Sequence, residues 1–143
     1  MIKIADLFGG IGGFRRGAEL YYGEQNVKGV LYCEQDKYAA KTYHANWPLG
    51  DDEFYSKDIR DLTKTPSPIA DEKYDFDLMF AGFPCQPFSI MGNQQGFEDE
   101  RGNLFFDLKR ILELKRPKGF ILENVTRLLT LNKGKYKEAI IKS

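Results

Sequence analysis

The sequence is poor in the residues that build disulfide frameworks and histidine sites. Its 143 residues include two cysteines, one histidine and one tryptophan. Two cysteines in a chain of this length do not make a disulfide framework, and they indicate a reducing compartment. The single histidine, His44, argues against a histidine-based metal site or a Ser–His triad within these residues. We therefore predict no metal site.

Long apolar runs and an excess of one charge are also missing. No apolar run approaches the roughly 20 residues that span a bilayer, and no signal peptide is recognisable. Lys plus Arg and Asp plus Glu both number 21, so the formal net charge is zero. A balanced total can still contain a local basic face for nucleic acid. With 42% apolar residues, the sequence predicts a cytoplasmic globular chain, either one domain or a large piece of one.

Short apolar runs alternate with helical patterns along the chain. The predicted strands are Lys3–Phe8, Val27–Cys33, Phe54–Ser56, Phe76–Ala81 and Phe120–Leu122. The predicted helices are Phe14–Tyr22, Lys37–Asn46, Asn103–Lys115 and Tyr136–Ile141, and Thr63–Lys73 is predicted to be a connection. This alternation predicts an α/β fold with a parallel sheet and helices on both faces.

Polar clusters follow each of the five predicted strands. They are the glycines around Gly9, Glu34, Asp58, the pair Pro84-Cys85, and Glu123. Parallel α/β sheets bind ligands beyond the carboxyl ends of their strands. The coincidence of five clusters at such ends therefore predicts a functional site there.

The first three clusters suit a cofactor that contains adenosine. Gly10 and Gly12 allow a tight turn and close approach of a ligand to the backbone. Glu34 lies 24 residues after Gly10, near the spacing at which an acidic residue accepts from ribose hydroxyls. Asp58 is placed to accept from an adenine amino group. These residues alone do not choose between NAD and S-adenosylmethionine, and a tight turn beside a solvated Glu34 is the simpler alternative.

The other two clusters contain a thiol and a carboxylate. Cys85 lies between Pro84 and Pro87, on a long polar loop, where a thiol could act as a nucleophile. An inert buried cysteine is the alternative, and it is the role we predict for Cys33 in the second strand. Glu123 could protonate or donate to a ring nitrogen if its carboxyl were held in a cleft. A solvated glutamate is the alternative there.

Six motifs in order resemble the C5-cytosine DNA methyltransferase family, from the first residues to about Val125. They are Asp6–Gly13, Glu34–Ala39, Asp58-Ile59, Gly82–Ser89, Arg101–Phe105 and Glu123–Val125. Each motif alone would be weak. Six in order and at family-like spacing leave little room for chance.

The resemblance implies a Rossmann-like methyltransferase fold, S-adenosylmethionine as cofactor and double-stranded DNA as substrate, as in restriction–modification systems. It assigns cofactor contacts to Phe8, Gly10, Gly12, Glu34, Asp58 and Ile59. It assigns the covalent attack on a flipped-out cytosine to Cys85, with Glu123 on the base ring and Pro84 positioning the base. It assigns contacts with the substrate to Gln86, Ser89 and Arg101.

The sequence also departs from the family pattern. Gln35 stands where members often carry an aromatic residue. No Gln-x-Arg-x-Arg motif, target-recognition domain or closing Gly-Asn-Ser motif is found. We therefore expect residues 1–143 to be the N-terminal part of a catalytic domain, incomplete at the C-terminus. We expect it to be inactive alone, with a partly open cofactor pocket and an exposed apolar sheet edge, and a second polypeptide is one source of the rest.

Three other functions remain open from the sequence. A relative that modifies cytosine in tRNA would use the same cysteine chemistry. A truncated, non-catalytic interaction protein would keep the fold without the reaction. An NAD-dependent oxidoreductase would explain the glycines and Glu34 but would leave Cys85 without a role.

Overall fold

The computed structural model describes residues 1–84, 104–126 and 135–142, which form a parallel α/β structure. The strands are β1 Ile2–Leu7, β2 Val27–Cys33, β3 Phe54–Ser56, β4 Leu78–Gly82 and β5 Gly119–Glu123. The helices are α1 Gly13–Tyr22, α2 Lys37–Asn46, α3 Ile59–Leu62, α4 Leu104–Lys115 and α5 Lys135–Lys142, with short 3₁₀ turns at Glu24–Asn26 and Glu72–Tyr74. No helix in these ranges is long and apolar enough to cross a membrane.

All five described strands are parallel and lie in the order β3-β2-β1-β4-β5. Strands β2 and β3 are added in turn on one side of β1, and β4 and β5 are then added on its other side. The order reverses between β1 and β4, and a crevice at such a reversal is where doubly wound sheets bind ligands. The predicted sheet is confirmed, and β2, β3 and α2 have the predicted bounds.

Alternate side chains of the central strands enter cores on opposite faces of the sheet, because strand side chains point up and down in turn. Ala5 and Leu7 of β1 pack in the larger core, which α3 and α4 cover. Ile4 enters a second core with Ala18 of α1. The helices therefore cover both faces, as predicted.

Helix α3 was not predicted, and the predicted connection Thr63–Lys73, which follows it, contributes a side chain to the core. Helix α3 begins directly after Asp58, whose side chain accepts a hydrogen bond from the Arg60 amide. Ile69, farther along, is fully buried in the larger core. A helix of four residues is too short to show a helical period in the sequence, so the pattern could not reveal it.

Strand β5 is the least covered of the described strands. Phe120 and Ile121 are neighbours that point to opposite faces of the sheet, and both are more than half exposed. On β4, by contrast, Met79 and Phe80 are both buried. The expected apolar edge is thus exposed on both faces at β5.

Candidate functional site

The turn that follows β1 brings the backbones of β1 and β2 together. The Gly9 amide donates a hydrogen bond to the Cys33 carbonyl at 3.2 Å. Phe8 and Gly10 adopt positive φ angles of 55° and 54°. For a residue with a side chain, such as Phe8, this costs about 1–2 kcal/mol. A Cβ on Gly10 would meet no atom of the described residues within 4 Å, so the turn leaves space for a ligand.

Glu34 follows β2 directly, and its carboxylate faces this turn. Its Oε2 accepts from the Gly10 amide at 2.9 Å, and its Oε1 accepts from the Asp36 amide at 2.7 Å. The Glu34 amide donates to the Ser56 carbonyl at the end of β3 at 3.1 Å. Each carboxylate oxygen has two lone pairs, so each can accept one more hydrogen bond, from a ligand. The structure thus brings Gly10 and Glu34 into contact.

Asp58 and Ile59 lie at the carboxyl end of β3, where α3 begins. The Asp58 carboxylate accepts from the Arg60 side chain, at 2.9 Å from Nε to Oδ1. Hydrogen bonds from this guanidinium lower the pKa of the Asp58 carboxyl, so the group is an anionic acceptor at neutral pH. Ile59 is almost fully buried in the larger core. Its side chain therefore packs the core, and the adenine contacts of both residues stay predictions.

Gly12, which directly precedes α1, lies beneath packed aromatic side chains. It is buried, with a φ of 93°. A Cβ there would come within 2.3 Å of Trp47 Cζ3 and 2.9 Å of Tyr43 Cδ2. The packing of two aromatic rings over Gly12 is enough to require glycine. Its predicted contact with a cofactor stays a prediction.

A largely buried polar network next to the turn joins α1 to α2. Arg15 donates from Nη1 to the Tyr43 hydroxyl at 2.8 Å and to Glu53 Oε1 at 2.9 Å. Its guanidinium also lies 4.9 Å from the ring centroid of Trp47. The indole of Trp47 donates to Glu19 Oε1 at 2.6 Å. The network connects α1 with Trp47 at the end of α2 and with Glu53 before β3.

Asp6 places a second carboxyl group beneath the turn. Asp6 is 1% exposed, and neither of its carboxylate oxygens has a hydrogen-bond partner among the described residues. A Cβ on Gly9 would lie 2.7 Å from Asp6 Cγ, so the two are in close contact. Burial raises the pKa of the Asp6 carboxyl to about 7, although the positive charge of Arg15 opposes the shift. The sequence placed Asp6 in a motif but did not identify it as buried.

A cluster of tyrosines supports the same turn from β2 and β3. The Tyr32 hydroxyl donates to the Gly10 carbonyl at 2.7 Å, and the Tyr55 hydroxyl donates to the Glu34 carbonyl at 3.3 Å. His44 packs edge-on against the Tyr32 ring. Sequence reasoning missed both tyrosines. The available signal was the position of Tyr32, two residues before Glu34 in the strand pattern.

The ends of β4 and β5 carry the second part of the candidate site. Gly82 and Glu123 are paired at the last position of the two strands. A Cβ on Gly82 would lie 3.5 Å from Glu123 Oε2 and 3.9 Å from the Phe8 carbonyl oxygen. Gly82 therefore lies between the exposed Glu123 carboxylate and the β1 turn. This glycine keeps the two parts of the site close.

Asn124 holds the beginning of the segment that leaves β4. Its Nδ2 donates to the Phe83 carbonyl at 2.7 Å. Phe83 is buried, whereas Pro84, the next residue, is exposed at the edge of the sheet. The remaining predicted residues, Cys85, Gln86, Ser89 and Arg101, lie outside the described residues. Their roles stay predictions.

Cys33 has the core role that the sequence predicted. It is 1% exposed and belongs to the larger core. Burial raises the pKa of its thiol to about 12, so it stays protonated at neutral pH. A protonated, buried thiol is a poor nucleophile, which excludes Cys33 from the candidate chemistry.

The fold and the edge residues together define a class of protein. A parallel doubly wound sheet, with a glycine turn after β1 and an acidic residue after β2, is a Rossmann-like α/β domain. A family model for C-5 cytosine-specific DNA methylases matches residues 2–143. The chain belongs to this family.

Similar proteins include bacterial type II methyltransferases. M.HgiCI of Herpetosiphon aurantiacus is 46% identical over 143 residues, which cover 99% of this chain and 31% of that protein. M.NlaX of Neisseria lactamica is 46% identical over 141 residues, which cover 99% of this chain and 42% of that protein. The chain thus spans less than half the length of either relative.

Solved structures of two methyltransferases share the fold. A mutant of Spodoptera frugiperda DNMT2 aligns with a TM-score of 0.68 at 24% identity, over 99% of this chain and 41% of that chain. The S. pombe Dnmt2 methyltransferase aligns with a TM-score of 0.62 at 19% identity, over 99% and 42%. At these identities the likeness shows the fold alone. It confirms the predicted Rossmann-like methyltransferase architecture.

Proposed function

We propose that this chain carries the cofactor-binding and catalytic part of an enzyme that methylates C5 of cytosine in double-stranded DNA, as in restriction–modification systems. The observation that carries the proposal is that two half-sites meet at the carboxyl ends of the parallel strands. Gly10 and Glu34 lie at the β1–β2 end, and Pro84 and Glu123 lie at the β4–β5 end. The family match and the type II relatives support the choice of DNA as substrate and a cytoplasmic location.

The first half-site fits S-adenosylmethionine, which supplies an electrophilic methyl group on a sulfonium sulfur. The space beside Gly10 admits a ligand close to the backbone. The free lone pairs of the Glu34 carboxylate suit the two ribose hydroxyls. The anionic Asp58 suits the adenine amino group, and the half-buried Phe8 ring suits an adenine face.

The second half-site fits a nucleophilic attack on the base. Cytosine C5 is a poor nucleophile, and addition of the Cys85 thiolate to C6 makes C5 able to accept a methyl group. Loss of the C5 proton and cleavage of the Cys85–C6 bond then restore the aromatic ring. Pro84 positions the base, and the hydrogen bond from Asn124 to Phe83 holds the start of this segment.

Glu123 acts on the other edge of the same ring. Its carboxyl group contacts N3 and the exocyclic amine, and so offsets the charge that builds on the ring as the thiolate adds. A base stacked in a duplex is out of reach, so the cytosine is flipped out. Gln86, Ser89 and Arg101 then contact the DNA substrate around the flipped cytosine. The exposure of Glu123 at the sheet edge supports its access to a flipped base.

We further propose that full activity requires residues beyond this chain, in the same or a second polypeptide. Two observations support this. The chain matches 31% of the length of M.HgiCI, and Phe120 and Ile121 leave an apolar edge open at β5. The additional residues would read the DNA sequence and complete the cofactor site.

The covalent step is tested with duplex DNA that carries 5-fluorocytosine, which blocks release of the enzyme from C6. The chain is assayed alone, mixed with the remaining part of M.HgiCI, and joined to that part. We expect a denaturation-resistant adduct with the completed enzyme. The adduct should be absent in Cys85→Ser and retained in Cys33→Ser, the matched control at the buried cysteine. No adduct with the completed wild type, or an adduct with Cys85→Ser, would overturn the role of Cys85.

The substrate and cofactor are tested on the same preparations. Labelled methyl transfer to DNA and to tRNA is measured in parallel, and transfer to tRNA alone would overturn the DNA proposal. Glu123→Gln should slow adduct formation by about 100-fold or more. In calorimetry, binding of NAD without binding of S-adenosylmethionine would favour an oxidoreductase.

A further inference from the structure

Both backbone groups of Gly10 are held by side chains from the end of β2. The Tyr32 hydroxyl donates to the Gly10 carbonyl at 2.7 Å, and the Gly10 amide donates to Glu34 Oε2 at 2.9 Å. Tyr32 and Glu34 are two residues apart, so the strand period directs them to the same side. Together they form a clamp on the glycine.

The position of the Tyr32 hydroxyl is set by packing around its ring. Tyr32 is fully buried. Its ring stacks on Tyr43 at a centroid distance of 3.6 Å and on Tyr55 at a centroid distance of 5.5 Å. His44 packs edge-on at 5.4 Å. Because three neighbouring rings fix the Tyr32 ring, the position of its hydroxyl is also fixed. The Gly10 carbonyl must therefore take the position at which it accepts this hydrogen bond.

The Tyr32 hydroxyl also keeps its proton. Burial raises the pKa of Tyr32 above its ordinary value, and the negative charges of Glu34 and Asp6 act in the same direction. The group is therefore a hydrogen-bond donor over the whole working pH range. The Gly10 carbonyl, which can only accept, is its matching partner.

Gly10 needs such a restraint more than another residue would. Glycine reaches positive and negative φ about equally well, so its φ of 54° is not enforced by a side chain of its own. If the turn were free to change, the amide bonded to Glu34 would move with it. The Glu34 carboxylate would then lose one of the two bonds that orient it.

We propose that Tyr32 is a positioning residue for the cofactor site, which acts through Gly10 and Glu34 without touching the ligand. This inference rests on the proposed function, because it takes Gly10 and Glu34 to bind S-adenosylmethionine. Tyr55 adds a weaker restraint of the same kind. Its hydroxyl donates to the Glu34 carbonyl at 3.3 Å, near the upper limit of hydrogen-bond length.

The test compares two tyrosines of the same stack. Tyr32→Phe removes the hydroxyl that holds Gly10. Tyr43→Phe is the matched control, because its buried hydroxyl contacts Arg15 and Glu53 instead of the turn. Affinity for S-adenosylhomocysteine is measured by calorimetry on the chain joined to the remaining part of M.HgiCI, the form in which the cofactor site is complete. Thermal unfolding and hydrogen exchange of the Gly10 amide are measured on the same unliganded samples.

We expect both variants to lose stability and only Tyr32→Phe to lose affinity, by about 5- to 10-fold, as for one lost hydrogen bond. The Gly10 amide should exchange faster in Tyr32→Phe alone. Tyr55→Phe should lower the affinity by about 2- to 3-fold. This variant keeps the proposal testable if Tyr32→Phe fails to fold.

Equal loss of affinity in Tyr32→Phe and Tyr43→Phe would show a general packing effect and overturn the proposal. Unchanged affinity in Tyr32→Phe, with binding by the wild type, would overturn it as well and leave the proposed function standing. Absence of binding by the completed wild type is a different result. It counts against the proposed cofactor site itself, and with it against any positioning role of Tyr32.

Discussion

Asp6 is the residue whose chemistry differs most from its ordinary behaviour. Its carboxyl group is buried beneath the glycine turn without a hydrogen-bond partner among the described residues. Desolvation disfavours the charged form and raises its pKa to about 7. The positive charge of Arg15 lowers the pKa, whereas the negative charges of Glu53 and Glu34 raise it further. Near neutral pH, the group is therefore about half protonated.

This shift predicts how the variant Asp6→Asn responds to pH. Between about pH 4 and pH 7 the folded chain holds a proton that the unfolded chain has released, so wild-type stability falls as pH rises through this window. Asparagine does not titrate. The stability of Asp6→Asn relative to wild type should therefore rise across the window, by at most about 1.4 kcal/mol per pH unit, and level off above pH 7. Urea unfolding at several pH values measures it.

Asp52→Asn is the control for this experiment. Asp52 is exposed and paired with Lys28, which lowers the pKa of its carboxyl. Its contribution changes mainly below about pH 5, so the stability of Asp52→Asn relative to wild type should stay level from about pH 5 to 7. The same slope in both variants, or none in Asp6→Asn, would contradict the buried state of Asp6.

At the scale of elements, a largely buried ion pair joins α1 to the segment that precedes β3. Arg15 of α1 is 11% exposed at its side chain, and Glu53, which precedes β3, is 6% exposed. A Cβ on Gly29 of β2 would come within 2.4 Å of Arg15 Nη1 and 2.6 Å of Glu53 Oε1. The ion pair thus fills the space that this glycine leaves on the sheet.

Breaking the pair from one side should be costly. Glu53→Ala leaves the Arg15 guanidinium buried with a weaker partner in Glu19, at 3.4 Å from Nε, and removes the acceptor of the Tyr43 hydroxyl. We expect a loss of about 3 kcal/mol in the free energy of unfolding, as is typical when one member of a buried pair is removed. Urea denaturation at constant pH measures this loss.

Two further variants show whether burial is the cause. Asp52→Ala breaks the exposed pair with Lys28 and should change the stability little. Arg15→Met combined with Glu53→Leu removes both charges and should be less destabilised than the sum of the two single variants. Additive losses would mean that the two charges do not interact.

At the scale of the whole molecule, the sheet is packed unevenly from its centre to β5. The central strand β1 contributes Ile4, Ala5 and Leu7, all fully buried. On the neighbouring strands, Phe80 of β4 is 7% exposed and Phe120 of β5 is 55% exposed. Two phenylalanines one strand apart therefore contribute very differently to the core.

These two phenylalanines provide a matched test of the open edge. Phe80→Ala should cost about 3–5 kcal/mol in unfolding free energy, as for a buried aromatic ring. Phe120→Ala should cost about 1 kcal/mol or less, because little of its surface is removed from water. Equal losses would show that another part of the molecule, or a second copy, covers β5 in solution.

Much of this fold follows from local patterns. The bounds of β2, β3 and α2 agree with the sequence pattern, because each is marked by its own apolar period and by flanking glycine or polar residues. The short helix after Asp58 was missed because four residues carry no period. The grouping of Gly10 and Glu34 at the carboxyl ends of the strands was predicted, because parallel strands end on the same side of the sheet, whereas their direct hydrogen bond was not.

Other parts of the site depend on residues that are far apart in sequence. Nothing near Gly12 indicates that Trp47 covers it. Nothing near Tyr32 indicates that its hydroxyl reaches Gly10, 22 residues earlier in the chain. Such contacts arise from the packing of α2 on the sheet and leave no local pattern.

The sequence by itself determined the α/β class, the parallel sheet and the family. The alternation of strands with helices and the order of the motifs can both be read along the chain. Only the tertiary structure decided which residues of each motif have open space beside them and which are buried by packed side chains. Gly10 has open space beside it, whereas Gly12 and Ile59 are covered by packed side chains. The physical reason is that burial depends on what packs against a residue, and those neighbours come from distant parts of the chain.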